Sequence, residues 1–257
     1  MNRNALENSE AYIISLSDDL YESAVEKLEK TGIRNFKKFN AISGSTLTDF
    51  VKNPNYVSVK GYYDISIPVY RNAHSDLGSI NAVGCYMSHV KIWEKIIHEK
   101  LSGSFIFESD AVCDENLFLF TELFLKKPNP HIIFFGYFGN VIKDVGPISK
   151  LNGRFLGMHS YYITNEGAKL FLKNAFPIEQ QIDSYISDII MLSQEHNSII
   201  EEVNIYITDN ICIQNNTKGT SIQTKSVIED NYITGGKKDY ENSYISNNNS
   251  DNKCSLS

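Results

Sequence analysis

The stretch Phe105-Ile106-Phe107-Glu108-Ser109-Asp110-Ala111 changes character at its middle: three large apolar residues give way to two carboxylates flanking a serine. A short apolar run bounded by polar residues is the signature of a strand buried on both faces. Glu108 and Asp110 are two apart, so in extended geometry they project to the same side. Ligands of an open α/β sheet collect at the carboxyl ends of its strands. Two hard oxygen donors there suit Mn²⁺ or Mg²⁺, which can take up a diphosphate at the same time. On spacing alone, acids that cap the next helix or face solvent are the commoner case, so the neighbourhood has to decide.

Upstream, Ala11-Tyr12-Ile13-Ile14-Ser15-Leu16 reads as a second buried strand. Asp18 or Asp19 can cap the helix that follows. Its inner face carries Leu20, Ala24, Val25 and Leu28, and Gly32 is placed to end it in a left-handed conformation. Phe36 to Ile42 closes a strand–helix–strand unit. Residues 43–82 show no clean period and read as a long excursion. From Gly84 a helical stripe of Met87, Val90, Trp93, Ile97 and Leu101 leads to Gly103 and the acid-tipped strand.

Downstream, a helix is expected over Glu115 to Lys126 and strands over His131–Phe135, Tyr161–Ile163 and Val203–Ile207. Thr164 can cap a helix carrying Ala168, Phe171 and Leu172, and another helix holds Ile182, Ile186, Ile189 and Ile190. This alternation predicts a mostly parallel sheet with helices on both faces. The expected layout is a polar lead over 1–10, one domain over 11–228 and a disordered tail over 229–257, rich in Asn, Ser, Lys and Asp.

The chain of 257 residues is 42% apolar with a net charge of −7 and no basic run, which argues against nucleic-acid binding. The four cysteines, Cys85, Cys113, Cys212 and Cys254, form no CxxC pair and are expected to be reduced, mostly buried thiols. With a polar N-terminus and no apolar run long enough to span a bilayer, a soluble, cytoplasmic protein is expected. Its oligomeric state is not legible.

Several segments together resemble glycosyltransferase family 25, the bacterial lipopolysaccharide and procollagen galactosyltransferase family. They are the opening strand with Phe39-Asn40-Ala41-Ile42-Ser43-Gly44; the block Gly84, Cys85, Ser88, His89, Trp93; and the strand ending Phe107-Glu108-Ser109-Asp110-Ala111, with Ser109 where the family has a third acid. They continue with Gly157-Met158-His159-Ser160-Tyr161-Tyr162-Ile163 and Gly167-Ala168, Pro177-Ile178 with Asp183, and Gln214 with Ser221-Ile222-Gln223. The resemblance implies a nucleotide-diphospho-sugar transferase (GT-A type) fold, α/β and Rossmann-like. It also implies metal-dependent, inverting transfer of a hexose, galactose or glucose, from a UDP-sugar to a glycan or protein hydroxyl. The alternative is a catalytically weakened relative that binds a carbohydrate or nucleotide sugar.

By the same resemblance, Asp110 and Glu108 would hold Mn²⁺ or Mg²⁺, with His159 as a further candidate ligand. Glu108, Asp110, His89 and Gln214 would contact the UDP-sugar. Asp183 and Asp188 are candidates for the general base that such a transfer needs. Five apart on one helix, they point about 140° from each other, so one of them faces the cleft. Phe134, Phe135, Tyr161 and Tyr162 are candidates for stacking on a sugar, with core packing favoured for the first two.

Overall fold

The computed structural model describes residues 6–7, 9–67, 73–139, 146–195 and 203–215. The expected tail over 229–257 and the Ser221-Ile222-Gln223 element lie outside these, as do Cys254 and most of the polar lead. The chain order begins β1 (Ala11–Ser15), α1 (Asp18–Leu28), β2 (Phe36–Asn40), α2 (Val59–Ser66), α3 (Ile80–His98), β3 (Gly103–Glu108) and β4 (Ala111–Cys113). It continues with α4 (Leu117–Leu125), β5 (Ile132–Phe134), β6 (Ile148–Lys150), β7 (Ser160–Thr164), α5 (Asn165–Leu172), α6 (Ile182–Glu195), β8 (Ile205–Thr208) and β9 (Cys212–Gln214).

Seven strands form the central sheet in the order β2-β1-β3-β7-β5-β8-β6. β2, β1, β3, β5 and β8 run in one direction, and β7 and β6 oppose them, giving the mostly parallel α/β sheet expected. Alternation along the strands sorts side chains onto two faces. Tyr12, Ile14, Ile106, Phe134, Tyr161 and Ile207 pack toward α3, α5 and α6. Ile13, Phe105, Phe107, Ile133, Tyr162 and Tyr206 pack toward α1 and α4. Both faces are apolar at the centre of the sheet, so β1, β3 and β5 read as continuous hydrophobic runs rather than as alternating ones, unlike the edge strand β2.

Local details differ from expectation. α1 is capped by Ser17, whose Oγ accepts from Leu20 N at 3.3 Å. Asp18 and Asp19 stand one step too late to cap, in the first turn, where their charge still favours the helix N-terminus. Gly32 does take the left-handed conformation, at φ +82°, after a short 3₁₀ turn. The excursion over 43–82 contains a helix, α2, capped by Ser58. Its two turns are too short to display a period. α3 starts four residues before Gly84, at a Ser79 cap, and Thr164 caps α5 as anticipated.

Gly84 is needed because α3 crosses the loop after β2 at close range. A Cβ there would lie 2.3 Å from the Ile42 carbonyl oxygen, a backbone atom. Ser88, one turn on, accepts from Ile42 N at 2.9 Å and donates to the Gly84 carbonyl at 2.8 Å. Gly84→Ala gains about 1 kcal/mol of helix propensity. Against this it forces two backbones apart, at an overpacking cost of about 3 kcal/mol. A net fall of several degrees in Tm is expected in a thermal melt; an unchanged or raised Tm would refute the close-packing account.

Among the described residues, no helix is long and apolar enough to cross a membrane. The cysteine expectation needs correction. Cys113 and Cys212 face each other across the antiparallel β4–β9 pair, with Cα atoms 4.0 Å apart, and form a disulfide. They are 99 residues apart in sequence, so only the topology brings them together. For this pair the expectation of reduced thiols fails, while Cys85 is a free thiol. Closing so long a loop constrains the unfolded chain, so reduction is expected to lower stability by about 2–5 kcal/mol. Denaturant midpoints with and without reductant measure this, and equal midpoints would count against the bond.

Candidate functional site

β3 lies in the middle of the sheet and ends at Glu108. The chain turns through Ser109 and Asp110 into β4, which leaves the main sheet to pair with β9. This departure exposes the strand end, and β9 brings Gln214 back over it. Gln214 Nε2 donates to Asp110 Oδ2 at 2.9 Å and to Glu108 Oε2 at 3.4 Å, while Asn215 N donates to the Asp110 carbonyl at 2.9 Å. The other Asp110 oxygen, Oδ1, is buried and has no hydrogen-bond partner. Burial, reinforced by the negative charge of Glu108, pushes the Asp110 carboxyl up to about 7, and the Gln214 amide only partly offsets this. An unpaired carboxylate oxygen beside a second carboxylate is what a divalent cation would satisfy, so the residues present fit such an ion.

α3 supplies the wall behind Glu108. Cys85 and His89 are one helical turn apart and therefore share a face. Cys85 Sγ lies 3.9 Å and His89 Nε2 3.5 Å from Glu108 Oε1. His89 is fully buried, and its Nδ1 is 2.8 Å from the Tyr161 hydroxyl, which also accepts from the Trp93 indole N–H at 3.1 Å. His89 thus backs the Glu108 carboxylate from inside the protein. Every member of the Gly84, Cys85, Ser88, His89, Trp93 block has a task here: close packing, holding the neighbouring loop, or fixing the wall behind Glu108. Burial and the carboxylates of Glu108, Asp183 and Asp110 push the Cys85 thiol well up, so it is no ready nucleophile.

His159, immediately before β7, places Nε2 3.3 Å from the Cys212 carbonyl. Burial lowers its tendency to protonate, so it is a neutral imidazole. It does not join the group formed by Cys85, His89 and Glu108.

Asp183 and Asp188 part company on α6. Asp183 is buried; Oδ2 accepts from Gly157 N at 2.9 Å and lies 3.1 Å from His74 Nε2, and Oδ1 accepts from Ser184 N at 2.7 Å. Burial alone would raise its carboxyl, but His74 and the two backbone N–H groups outweigh that and hold it below the usual carboxylate range. Gly157 reaches it from a left-handed backbone, φ +94°. Asp188 points elsewhere, to Arg154 at 3.0 Å and Gln180 at 2.7 Å, and is partly exposed.

Two candidate stacking residues, Tyr161 and Tyr162, are excluded from a sugar site because both are fully buried in the two cores. Phe134 and Phe135 are core residues, as favoured. Sequence reasoning missed the role of Cys85, although the C-x-x-x-H spacing with His89 on a helix was visible. It also missed His74. That residue comes from a loop, held to the start of α6 by Gln181, whose Nε2 donates to the carbonyls of His74 (2.5 Å) and Asp76 (3.0 Å). No local pattern announces it.

The model of glycosyltransferase family 25, described as an LPS biosynthesis protein, matches residues 8–144. No curated protein matches the chain. Among solved structures, the chain is similar to A197 from STIV at 12% identity and TM-score 0.41, covering 85% of this chain and 99% of that one. It is also similar to HddC from Yersinia pseudotuberculosis complexed with GMP-PN, at 12% identity and TM-score 0.38, covering 80% and 93%. A third is the inositol-1-phosphate CTP transferase from T. maritima, at 13% identity and TM-score 0.43, covering 86% and 94%.

Proposed function

The chain belongs to glycosyltransferase family 25, and we propose that it transfers a hexose, galactose or glucose, from a UDP-sugar to a hydroxyl of a glycan or protein, with inversion. The observation that carries this reading is the orphaned, buried Asp110 Oδ1 beside Glu108 at the open end of a central strand. Asp110 and Glu108 would hold Mn²⁺ or Mg²⁺. When bound, such an ion supplies Lewis-acid neutralisation of the departing nucleoside diphosphate.

The remaining chemistry falls to the chain's own side chains. Gln214 fixes both carboxylates by donating to them, and leaves Asp110 Oδ1 free to face a ligand. His89 and Cys85 restrain Glu108 from behind. Asp183, kept ionised, pairs with His74 to take the proton of the attacking acceptor hydroxyl, as inverting displacement requires. The negative charges of Asp183, Glu108 and Asp110 all act on the Cys85 thiol, so the acid pair and the base lie within electrostatic range of one residue.

The test is thermal shift and sugar-nucleotide turnover on the same preparation. UDP with Mn²⁺ is expected to stabilise the wild-type protein and to leave Asp110→Ala unmoved. UDP is expected to be released from UDP-galactose or UDP-glucose when an acceptor is present. An equal shift in Asp110→Ala would sink the metal assignment. Donor binding without turnover would favour the weakened, sugar-nucleotide-binding relative instead.

A further inference from the structure

Behind the acids, Cys85, His89 and Glu108 turn three different donor atoms on one point. Sγ, an imidazole nitrogen and a carboxylate oxygen all lie within 4.8 Å of one another. Glu108 Oε1 is 3.5 Å from His89 Nε2 and 3.9 Å from Cys85 Sγ. In a tetrahedral zinc site with bonds of about 2.0–2.3 Å, ligand atoms are separated by roughly 3.3–3.7 Å. The two separations from Glu108 Oε1 are already close to these, without an ion to draw the atoms in, and the third is no more than 4.8 Å.

Two further observations point to a ligand. His89 Nε2 is completely buried and makes no hydrogen bond. Its other ring nitrogen is fixed by the Tyr161 hydroxyl, which is anchored in turn by Trp93. A metal-binding histidine is usually oriented in this way, by a partner on its second nitrogen. Cys85 and His89 also share one face of a rigid helix.

We propose that Cys85, His89 and Glu108 form a cation position of their own, selective for a borderline-soft ion of the Zn²⁺ class. It lies next to the Asp110 position and shares Glu108 with it. Thiolate and imidazole prefer Zn²⁺ to Mg²⁺ or Mn²⁺, whereas the all-oxygen pair of Asp110 and Glu108 has the opposite preference. Three protein ligands leave a fourth coordination position open. An ion here holds Glu108 by Oε1 and so competes with the hard ion for that carboxylate. The site stands on its own donor atoms and not on the glycosyl-transfer reading, and its readout is metal binding rather than turnover.

The experiment uses the full chain, stripped with chelator and titrated with Co²⁺ and then Zn²⁺. A single equivalent of Co²⁺ is expected to give a sulfur-to-metal charge-transfer band and intense tetrahedral d–d bands, both displaced by Zn²⁺. Cys85→Ser and His89→Gln are expected to abolish the charge-transfer band or weaken Zn²⁺ binding by about 100-fold. Tyr161→Phe is expected to weaken it by about 10-fold, the scale of a lost orienting partner. Asp110→Asn is expected to keep the band.

In a Cys254→Ser background, X-ray absorption at the zinc edge is also expected to show one sulfur neighbour at about 2.3 Å, a readout that does not depend on the folding of a ligand variant. Three results would overturn the site: no charge-transfer band, Zn²⁺ affinity unchanged in Cys85→Ser and His89→Gln, or no sulfur in the zinc shell of the Cys254→Ser protein. Equal loss of the band in Asp110→Asn would overturn its separateness. The thiol and imidazole would then be hydrogen-bonding supports for Glu108 only.

Discussion

Asp110→Asn is expected to cut glycosyl transfer by on the order of 10²–10³-fold while making the metal-free protein more stable. Both effects have one origin. The wild-type carboxyl is raised to about 7 by burial and by the neighbouring Glu108 charge, so the folded state resists its ionisation. Between about pH 4 and pH 7 the folded protein binds a proton that the unfolded chain releases. Wild-type stability therefore declines as pH rises through that window and levels off above it.

A shift of this size corresponds to at most about 4 kcal/mol. Asparagine removes the charge and keeps an oxygen for the Gln214 amide, but adds an amide that must find partners in the same cleft. A gain of about 1–2 kcal/mol at pH 8 is expected, shrinking toward zero near pH 4. For a folded unit of this size that is several degrees of Tm.

Paired melts of wild type and variant in chelator, at pH 4.5 and 8, measure the gain. UDP release measures the loss. A variant with activity within about fivefold of wild type, or one less stable than wild type at pH 8, would contradict the assignment. A site that is costly to the empty fold and needed for turnover is the usual stability–function conflict.

The sheet was legible because each central strand is buried on both faces. Tyr12-Ile13-Ile14 and Phe105-Ile106-Phe107 are continuous apolar runs, and no alternative period competes with them. β4, β6 and β9 escaped notice because, unlike the equally short β5 within Ile132-Ile133-Phe134-Phe135, none lies in an apolar run of four or more residues. β4 and β9 matter most to the site, since their pairing and the Cys113–Cys212 bond set Gln214 over the acids. The acids themselves and Asp183 could be named from local motifs. What surrounds them could not: His74 reaches Asp183 across 109 positions and Tyr161 reaches His89 across 72. Such contacts are products of topology, and neither composition nor spacing encodes them in a form readable from one chain.

The choice between the two aspartates of α6 yields the sharpest contrast. Asp183→Asn is expected to lower kcat by roughly 10²–10⁴-fold, the usual worth of a general base, with little change in donor KM. Asparagine keeps one oxygen for the Ser184 N–H, but its amide nitrogen then stands in the place of Oδ2, facing both His74 and the Gly157 N–H, and accepts no proton. Asp188→Asn is expected to stay within a few-fold of wild type, since its partner Arg154 is a surface cation and exposed pairs contribute about 1 kcal/mol at most.

Stability separates the residues as well. The Asp183 carboxyl is held below its usual range, so it stabilises the fold above the ordinary carboxylate pKa and loses that contribution as pH falls below it. Asp183→Asn should therefore be destabilised at pH 7 and converge on wild type under acid conditions, the reverse of the Asp110→Asn pattern. His74→Gln should lower kcat in the same direction as Asp183→Asn. Adding it to Asp183→Asn should cost little more, because the two residues act as one unit. Additive losses in that double variant, or an Asp188→Asn enzyme as impaired as Asp183→Asn, would move the base away from the Asp183–His74 pair.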